Sequence, residues 1–288
     1  MTVPPPRPRR HRIAALAVAL TAIVASTAAA TAAPARVAAA PTLAALPGSV
    51  DSGADVRLSG TAPRGAVVTL QARRSTTWTT LGTSRASSRG TWKATVRFTS
   101  GGTVRVRAVA AGRPSGIRAV DVYQWLRLSA QPFVTRAQRS RVGPVVVGGR
   151  RYPAALSLTD ASNAASTYWA LDRRCTDLRY SIGLLDSERA RATGTELGAS
   201  KVYGLRPDGG LAVVGPAFAA DWKQNRVSTW TQTGLAAADR LNLTTRIIAD
   251  GAISGSRAAA ATLSMTVVSA RIRCRAAALA PLSPARVP

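Results

Sequence analysis

Val104-Arg105-Val106-Arg107-Ala108 alternates apolar and basic residues with a period of two, the spacing of a strand that buries one face and wets the other. The same pattern spreads upstream. Val68, Leu70 and Ala72 repeat it after a Pro63-Arg64-Gly65 turn, and Val56 and Leu58 flank an oppositely directed Arg57. Trp92, Ala94, Val96 and Phe98 form a third inward face, with Lys93 and Arg97 outward. Gly101-Gly102 reads as a hairpin turn leading into Val104. Residues 47–122 therefore predict six or seven short antiparallel strands closed into a small sandwich.

Downstream, residues 123–276 continue the all-β pattern with longer runs. Tyr123 to Leu128 reads as an opening strand and residues 135–143 as a connecting loop. Val145-Val146-Val147 then meets a Gly148-Gly149 turn and Tyr152. A polar loop, Thr159 to Thr167, leads to Trp169 and Leu171. Leu178, Tyr180 and Ile182 alternate into Gly183-Leu184-Leu185-Asp186. Asp208-Gly209-Gly210 marks a hairpin between Lys201-Val202-Tyr203 and Leu211 to Val214. Asp239 to Ile247 alternates again, and Leu263 to Ile272 closes the domain. Eight or more strands with no persuasive helix predict a jelly-roll sandwich.

Composition removes many functions. The 288 residues carry 39 basic and 13 acidic side chains, 36 of the basic ones arginine, for a net charge of +26. The one histidine, His11, precedes an apolar run and lies in a segment read as removable. Without it no Ser-His-Asp triad, Cys-His dyad or histidine-ligated metal site can form. Residues 47–122 hold 12 basic and 3 acidic groups, residues 123–150 five and none, and residues 151–288 seventeen and ten. The charge is spread and mostly alternates with apolar residues. A basic stripe interleaved with stacking aromatics is missing, so no specific nucleic-acid binding is expected. Attraction to anionic cell-wall polymers or lipids is expected as a side effect.

Residues 1–35 read as a signal peptide. Arg7, Arg9, Arg10 and Arg12 precede the apolar Ile13 to Ile23, and Ala28-Ala29-Ala30 and Ala33-Pro34-Ala35 each offer a small-residue cleavage pattern. An uncleaved membrane anchor is the alternative reading of that stretch. Residues 36–46 would be a linker and residues 277–288 a disordered tail. A secreted or cell-wall-associated chain with no membrane span after cleavage follows. In such a chain the two cysteines, Cys175 and Cys274, are expected to form a disulfide tying an early strand of the second domain to its last.

Two resemblances add to this reading. Ser59-Gly60, Pro63-Arg64-Gly65, Val68 to Gln71, Trp78, Gly90-Thr91-Trp92 and Val104 to Ala108 resemble a bacterial Ig-like domain of secreted actinobacterial proteins. Such domains act as spacers or adhesive modules. The second domain resembles the NPCBM/NEW2 family of carbohydrate-binding modules, which have a galactose-binding-like jelly roll. The carrying pieces are Val145 to Tyr152 (V-x-x-G-x-x-Y), Trp169 to Cys175, Gly183 to Asp186, Val202 with Asp208-Gly209, and Leu241-Asn242-Leu243. The family's acidic, histidine-containing segment before the last strand is missing. Met265 to Ile272 keeps only its Ala-Arg-apolar ending, so no ligand or ion role carries over from that segment.

Sugar recognition needs an apolar platform for the C–H face of a pyranose and planar hydrogen-bonders for its hydroxyls. Asp221, Trp222, Gln224 and Asn225 supply these types in one polar stretch and are the candidate carbohydrate-binding residues. The alternative for Trp222 is a loop aromatic sealing one end of the sandwich. Trp169, Trp230, Trp78 and Trp92 read as packing or strand-edge residues. Asp186 and Glu188 would share one face of an extended strand. With basic neighbours, they read as solvated or paired acids, not as a glycosidase pair. No catalytic residue, metal site or cofactor is expected. The sequence reading is an exported, non-catalytic carbohydrate-binding protein with a polysaccharide or glycan as partner. The alternatives are a structural or adhesive two-sandwich protein and, third, a glycosidase.

Overall fold

The structure, a computed structural model, describes residues 39–136, 139–159, 165–189, 196–214, 218–221, 227–249 and 265–284. The expected signal peptide lies outside these residues. Among them the chain is almost wholly β, as the alternation predicts.

The N-terminal half contains β1 (Ser49–Asp51), β2 (Asp55–Thr61), β3 (Val67–Arg73), β4 (Thr79–Arg85), β5 (Thr91–Arg97), β6 (Gly102–Ala110), β7 (Arg113–Pro114) and β8 (Arg118–Arg127). Strands β4, β3, β6 and β8 pair antiparallel in that order, β1 adds parallel to β8, and β2 pairs with β5 in a separate sheet. Alternation decides what lies between the two sheets. Val68, Leu70 and Ala72 of β3 and Val104, Val106 and Ala108 of β6 are buried, as are Leu58 and Trp92 opposite them. Full burial of each large side chain stabilises by roughly 1.5–3 kcal/mol.

The Gly101-Gly102 segment is not a hairpin. Strand β5 pairs with β2 from Asp55↔Arg97 to Thr61↔Thr91, whereas β6 pairs with β3 and β8. The two glycines carry the chain from one sheet to the facing one. The expected linker is also partly built in. The Thr42 N–H donates to Thr61 O at 2.7 Å, the Ala44 N–H donates to Ser59 O at 2.9 Å, and Leu43 is buried.

Ten-residue strands dominate the C-terminal half: β9 (Val134–Arg136), β10 (Arg139–Val147), β11 (Arg150–Thr159), β12 (Ala165–Ala170), β13 (Cys175–Leu184), β14 (Glu196–Leu205), β15 (Leu211–Val214), β16 (Phe218–Asp221), β17 (Ser228–Gln232), β18 (Arg240–Ala249) and β19 (Met265–Cys274). Strand β13 runs the length of one edge of β19, while β11 and β8 share its other edge. The facing sheet runs β15-β14-β18-β12-β9, with β16 also on β14. Between the sheets sit Trp169, Leu171, Leu178, Tyr180, Ile182, Leu241 and Ile272, all buried. The Asp208-Gly209-Gly210 turn joins β14 to β15 as expected.

Three expectations are corrected. Residues 135–143, read as a loop, contribute to β9 and β10. Their arginines alternate along a strand that pairs with β11 from Arg139↔Thr159 onward and bulges between Gly143 and Val145. Pro144, which has no N–H to give a ladder, sits at that bulge. The final segment is not loose through 284. Leu279 and Leu282 are buried, and the Leu279 N–H donates to Gln131 Oε1 at 2.9 Å. Two leucines in an Ala/Pro stretch suffice to dock it.

The third correction concerns the 122/123 boundary, which falls inside β8. Arg118 to Val122 pair with β6, and Gln124 to Arg127 pair with β19. Two separate hydrophobic cores, one on either side, thus hang from one continuous strand. Gln124 locks the crossing: its Oε1 accepts from Gly101 N–H at 3.1 Å and its Nε2 donates to Ala277 O at 2.9 Å. Arg275 donates to Asp121 at 2.6 Å and Arg273 to Asp51 at 2.8 Å. The Asp121 hydrogen bond raises the Arg275 pKa above its ordinary value.

Candidate functional site

The β10–β11 hairpin closes on Gly148-Gly149, both with positive φ, as a two-residue turn with this handedness requires. Strand β13 reaches the same corner through Gly183. A Cβ there would stand 2.5 Å from Val147 Cγ1, so only glycine lets the two backbones close up. The chain then turns into a single helical turn, α1 (Asp186–Arg189). Asp186 sits at its start and accepts from Gly148 N–H at 2.7 Å and Gly149 N–H at 2.8 Å, one per carboxylate oxygen. Consecutive backbone N–H groups in a turn form a small anion-binding nest, and here the anion is the protein's own.

That geometry corrects the reading of Asp186 and Glu188 as neighbours on one strand face. The backbone is helical there, and Asp186 is committed to the turn. The Glu188 side chain lies outside the described residues.

Beside this clamp lies an open concavity of about 520 Å³. Val145, Val146 and Pro144 give it an apolar wall, and Arg141, Arg151, Ser157 and Ser187 supply hydrogen-bonding groups. Arg141 and Ser157 face each other directly across the hairpin. None of the ion pairs among the described residues involves Arg141 or Arg151. The volume suits one or two sugar rings, within the roughly 300–1,000 Å³ usual for small-molecule sites. An apolar wall with a few fixed polar groups can seat a ring's C–H face while hydrogen-bonding its hydroxyls. Sequence reasoning missed these residues. The available signal was the run of five basic and no acidic side chains over residues 123–150.

Of the residues proposed from sequence, Trp222, Gln224 and Asn225 lie outside the described residues. Asp221 ends β16, its backbone opposite Leu197, with its side chain likewise outside. Trp169 is fully buried and donates Nε1–H to Leu128 O at 3.2 Å, and Trp230 packs on Tyr180 with centroids 5.6 Å apart. The cysteines are joined: Cys175 opens β13, Cys274 ends β19, and the two are register partners with no exposure. Among the described residues no group of three or more His, Cys, Asp or Glu is placed to hold a metal. No helix among them is long and apolar enough to cross a membrane.

No protein-family model matches the chain, and no curated protein matches it. Among solved structures, it is similar to the CBM51-2 and INT domains of Clostridium perfringens ZmpB, with 9% identity over 60% of this chain and 38% of that one, at a TM-score of 0.34. CBM51-2 of the same protein in complex with GlcNAc gives 10% identity over 61% and 38%, also at 0.34. The tandem CBM22-1-CBM22-2 of Paenibacillus barcinonensis Xyn10C gives 10% identity over 77% and 79%, at 0.35. The chain thus spans about two fifths of the length of the first of these structures.

Proposed function

We propose that this chain is an exported, non-catalytic carbohydrate-binding protein of the cell surface or extracellular space, with the concavity on the β10–β11 hairpin as its saccharide site. The observation that carries this reading is the corner itself. Val145 to Tyr152 and Gly183 to Asp186, two pieces of the NPCBM/NEW2 resemblance, meet there through the Asp186 clamp. The clamp fixes the wall of a cavity with the mixed apolar and polar lining that sugars need. The buried Cys175–Cys274 bond fits an oxidising compartment outside the cytosol. Asp186, held by two backbone N–H groups, braces the Gly148-Gly149 turn beside the cavity.

The test is a glycan array and a pull-down on insoluble polysaccharides, using the full chain because a fragment starting at 123 would cut β8. Sugar-eluted retention is expected. It should fall about tenfold in Arg151→Ala/Ser187→Ala, the loss expected when a charged hydrogen bond is removed. Trp222→Ala, run beside it, decides whether the 221–225 stretch shares the site. Undiminished retention in the Arg151→Ala/Ser187→Ala protein would remove the concavity as the site, and turnover of chromogenic glycosides would overturn the non-catalytic reading. A second reading, a structural or adhesive protein, rests on β10 being the last strand of its sheet with Val142 and Val146 exposed. A stable protein partner without sugar-dependent elution would favour it.

A further inference from the structure

The N-terminal sandwich carries a second constellation, independent of the concavity above. At its open end, where β3 leaves the sheet and β6 begins, lies a cavity of about 320 Å³. Arg73 and Arg74 line it with Ser75, Thr77, Thr99 and Arg97. The three acids of residues 47–122 are all paired, Asp51 with Arg273, Asp121 with Arg275, and Asp55 with Arg97 of the cavity's own lining. Arg73 and Arg74 belong to none of the ion pairs among the described residues. Arg73 Nε is buried with no hydrogen-bond partner. Arg74 donates to Gly101 O at 3.1 Å, and burial pulls its pKa below the ordinary value. Arg73 is half-buried against Trp78 and Arg74 stands exposed at the rim, neither with a counter-charge among the described residues. A buried donor without a partner is destabilising, and a bound oxyanion would relieve it.

We infer that this open end is a binding site for the carboxylate or phosphate groups of an acidic carbohydrate polymer, held by Arg73 and Arg74. The planar guanidinium fork matches either oxyanion in a two-point contact. Ser75, Thr77 and Thr99 offer hydroxyls to the sugar around it. Trp78 argues against a nucleic acid. The Arg73 and Arg107 guanidiniums lie 4.9 and 4.1 Å from its ring centroid, so the ring is already covered by cations and offers no free platform for a base.

The experiment measures binding of the full chain, at physiological salt, to polygalacturonate, poly(glycerol phosphate), neutral dextran and an oligo(dT). Three variants accompany it. Arg73→Gln/Arg74→Gln removes the fork. Thr77→Glu, at an exposed position, sets a carboxylate at the rim and leaves both arginines and the core intact. Arg64→Gln/Arg113→Gln removes the same charge from exposed positions at the other end of the sandwich. Binding to one or both acidic polymers and not to dextran is expected, and the stronger arm names the oxyanion. Either cavity variant should weaken it about tenfold or more, the loss of a charge-assisted contact. The distant pair should change it less than about twofold, as screened surface charge does. Equal loss in the distant pair would reduce the effect to net charge and overturn the site. So would undiminished binding in both cavity variants, no binding to either polymer, or oligo(dT) binding as tightly through the same residues.

Discussion

The two sandwiches solve the same problem by different means. In the N-terminal one, the core-forming strands β2, β3, β5 and β6 alternate buried with more exposed positions, and the core closes with no covalent link. The C-terminal one depends on ten-residue strands, and its β13 pairs with the remote β19. Its one disulfide joins residues 99 apart. Local alternation is enough where partners are near; where loop closure is long, a cross-link offsets chain entropy. Shared strand β8 means the two solutions are still mechanically one object.

Removing a core tryptophan from each side tests that contrast most severely. Trp169→Ala and Trp92→Ala should each cost about 3–5 kcal/mol, the usual loss for a large buried aromatic. Hydrogen exchange after Trp169→Ala should rise in β13, β18 and β19 and leave β3 and β6 protected. Equal loss of protection in both halves would make the two cores one cooperative unit.

Replacing both Cys175 and Cys274 by alanine comes next. It should lower stability by about 2–5 kcal/mol, since a loop of about 100 residues is released in the unfolded chain. Denaturant unfolding should shift in the C-terminal transition only. A shift confined to the N-terminal half would contradict the pairing of β13 with β19.

Gln124→Ala measures the coupling itself. It deletes both junction bonds, to Gly101 and Ala277, at about 1–3 kcal/mol. The expected readout is two resolved unfolding transitions where the wild type shows more overlap. Unchanged overlap would leave β8 and the Arg275–Asp121 and Arg273–Asp51 pairs as the coupling elements.

The smallest effect belongs to Asp55, whose carboxyl the Arg97 hydrogen bond holds below its ordinary value of 3.8. A carboxylate with a lowered folded-state pKa contributes stability above the unfolded value and loses it as pH falls through the folded one. The gap in thermal midpoint between wild type and Asp55→Asn should thus be small at neutral pH, because the pair is exposed. It should close below pH 3.8. A gap that widens in acid would reverse the assigned sign.

Much of the N-terminal half was legible because each strand declares itself by alternation. Val68, Leu70, Ala72, Val104, Val106 and Ala108 all point inward as read. Gly101-Gly102 was legible as a reversal but not as a switch between sheets, since two glycines turn a chain equally well in either case. In the C-terminal half, Arg139 and Arg141 hid β10, because a solvent-facing edge strand need not carry an apolar alternation. The candidate site was less legible still. Arg141, Ser157 and Ser187 are separated by up to 46 positions and meet only because Gly183 admits Val147 and Asp186 reaches the Gly148-Gly149 turn.

By itself the sequence determined the all-β class, the inward faces, the glycine turns and the cysteine pair. Those depend on the period of the pleat, on backbone torsions and on a count of thiols, all of which are local or simple properties. Tertiary structure alone decided that β8 serves both cores, that the tail docks, and that two arginine-lined cavities open at separate places. Strand partners across long loops are selected by the total burial and hydrogen bonding of the finished sheets, and no short window of residues contains that sum.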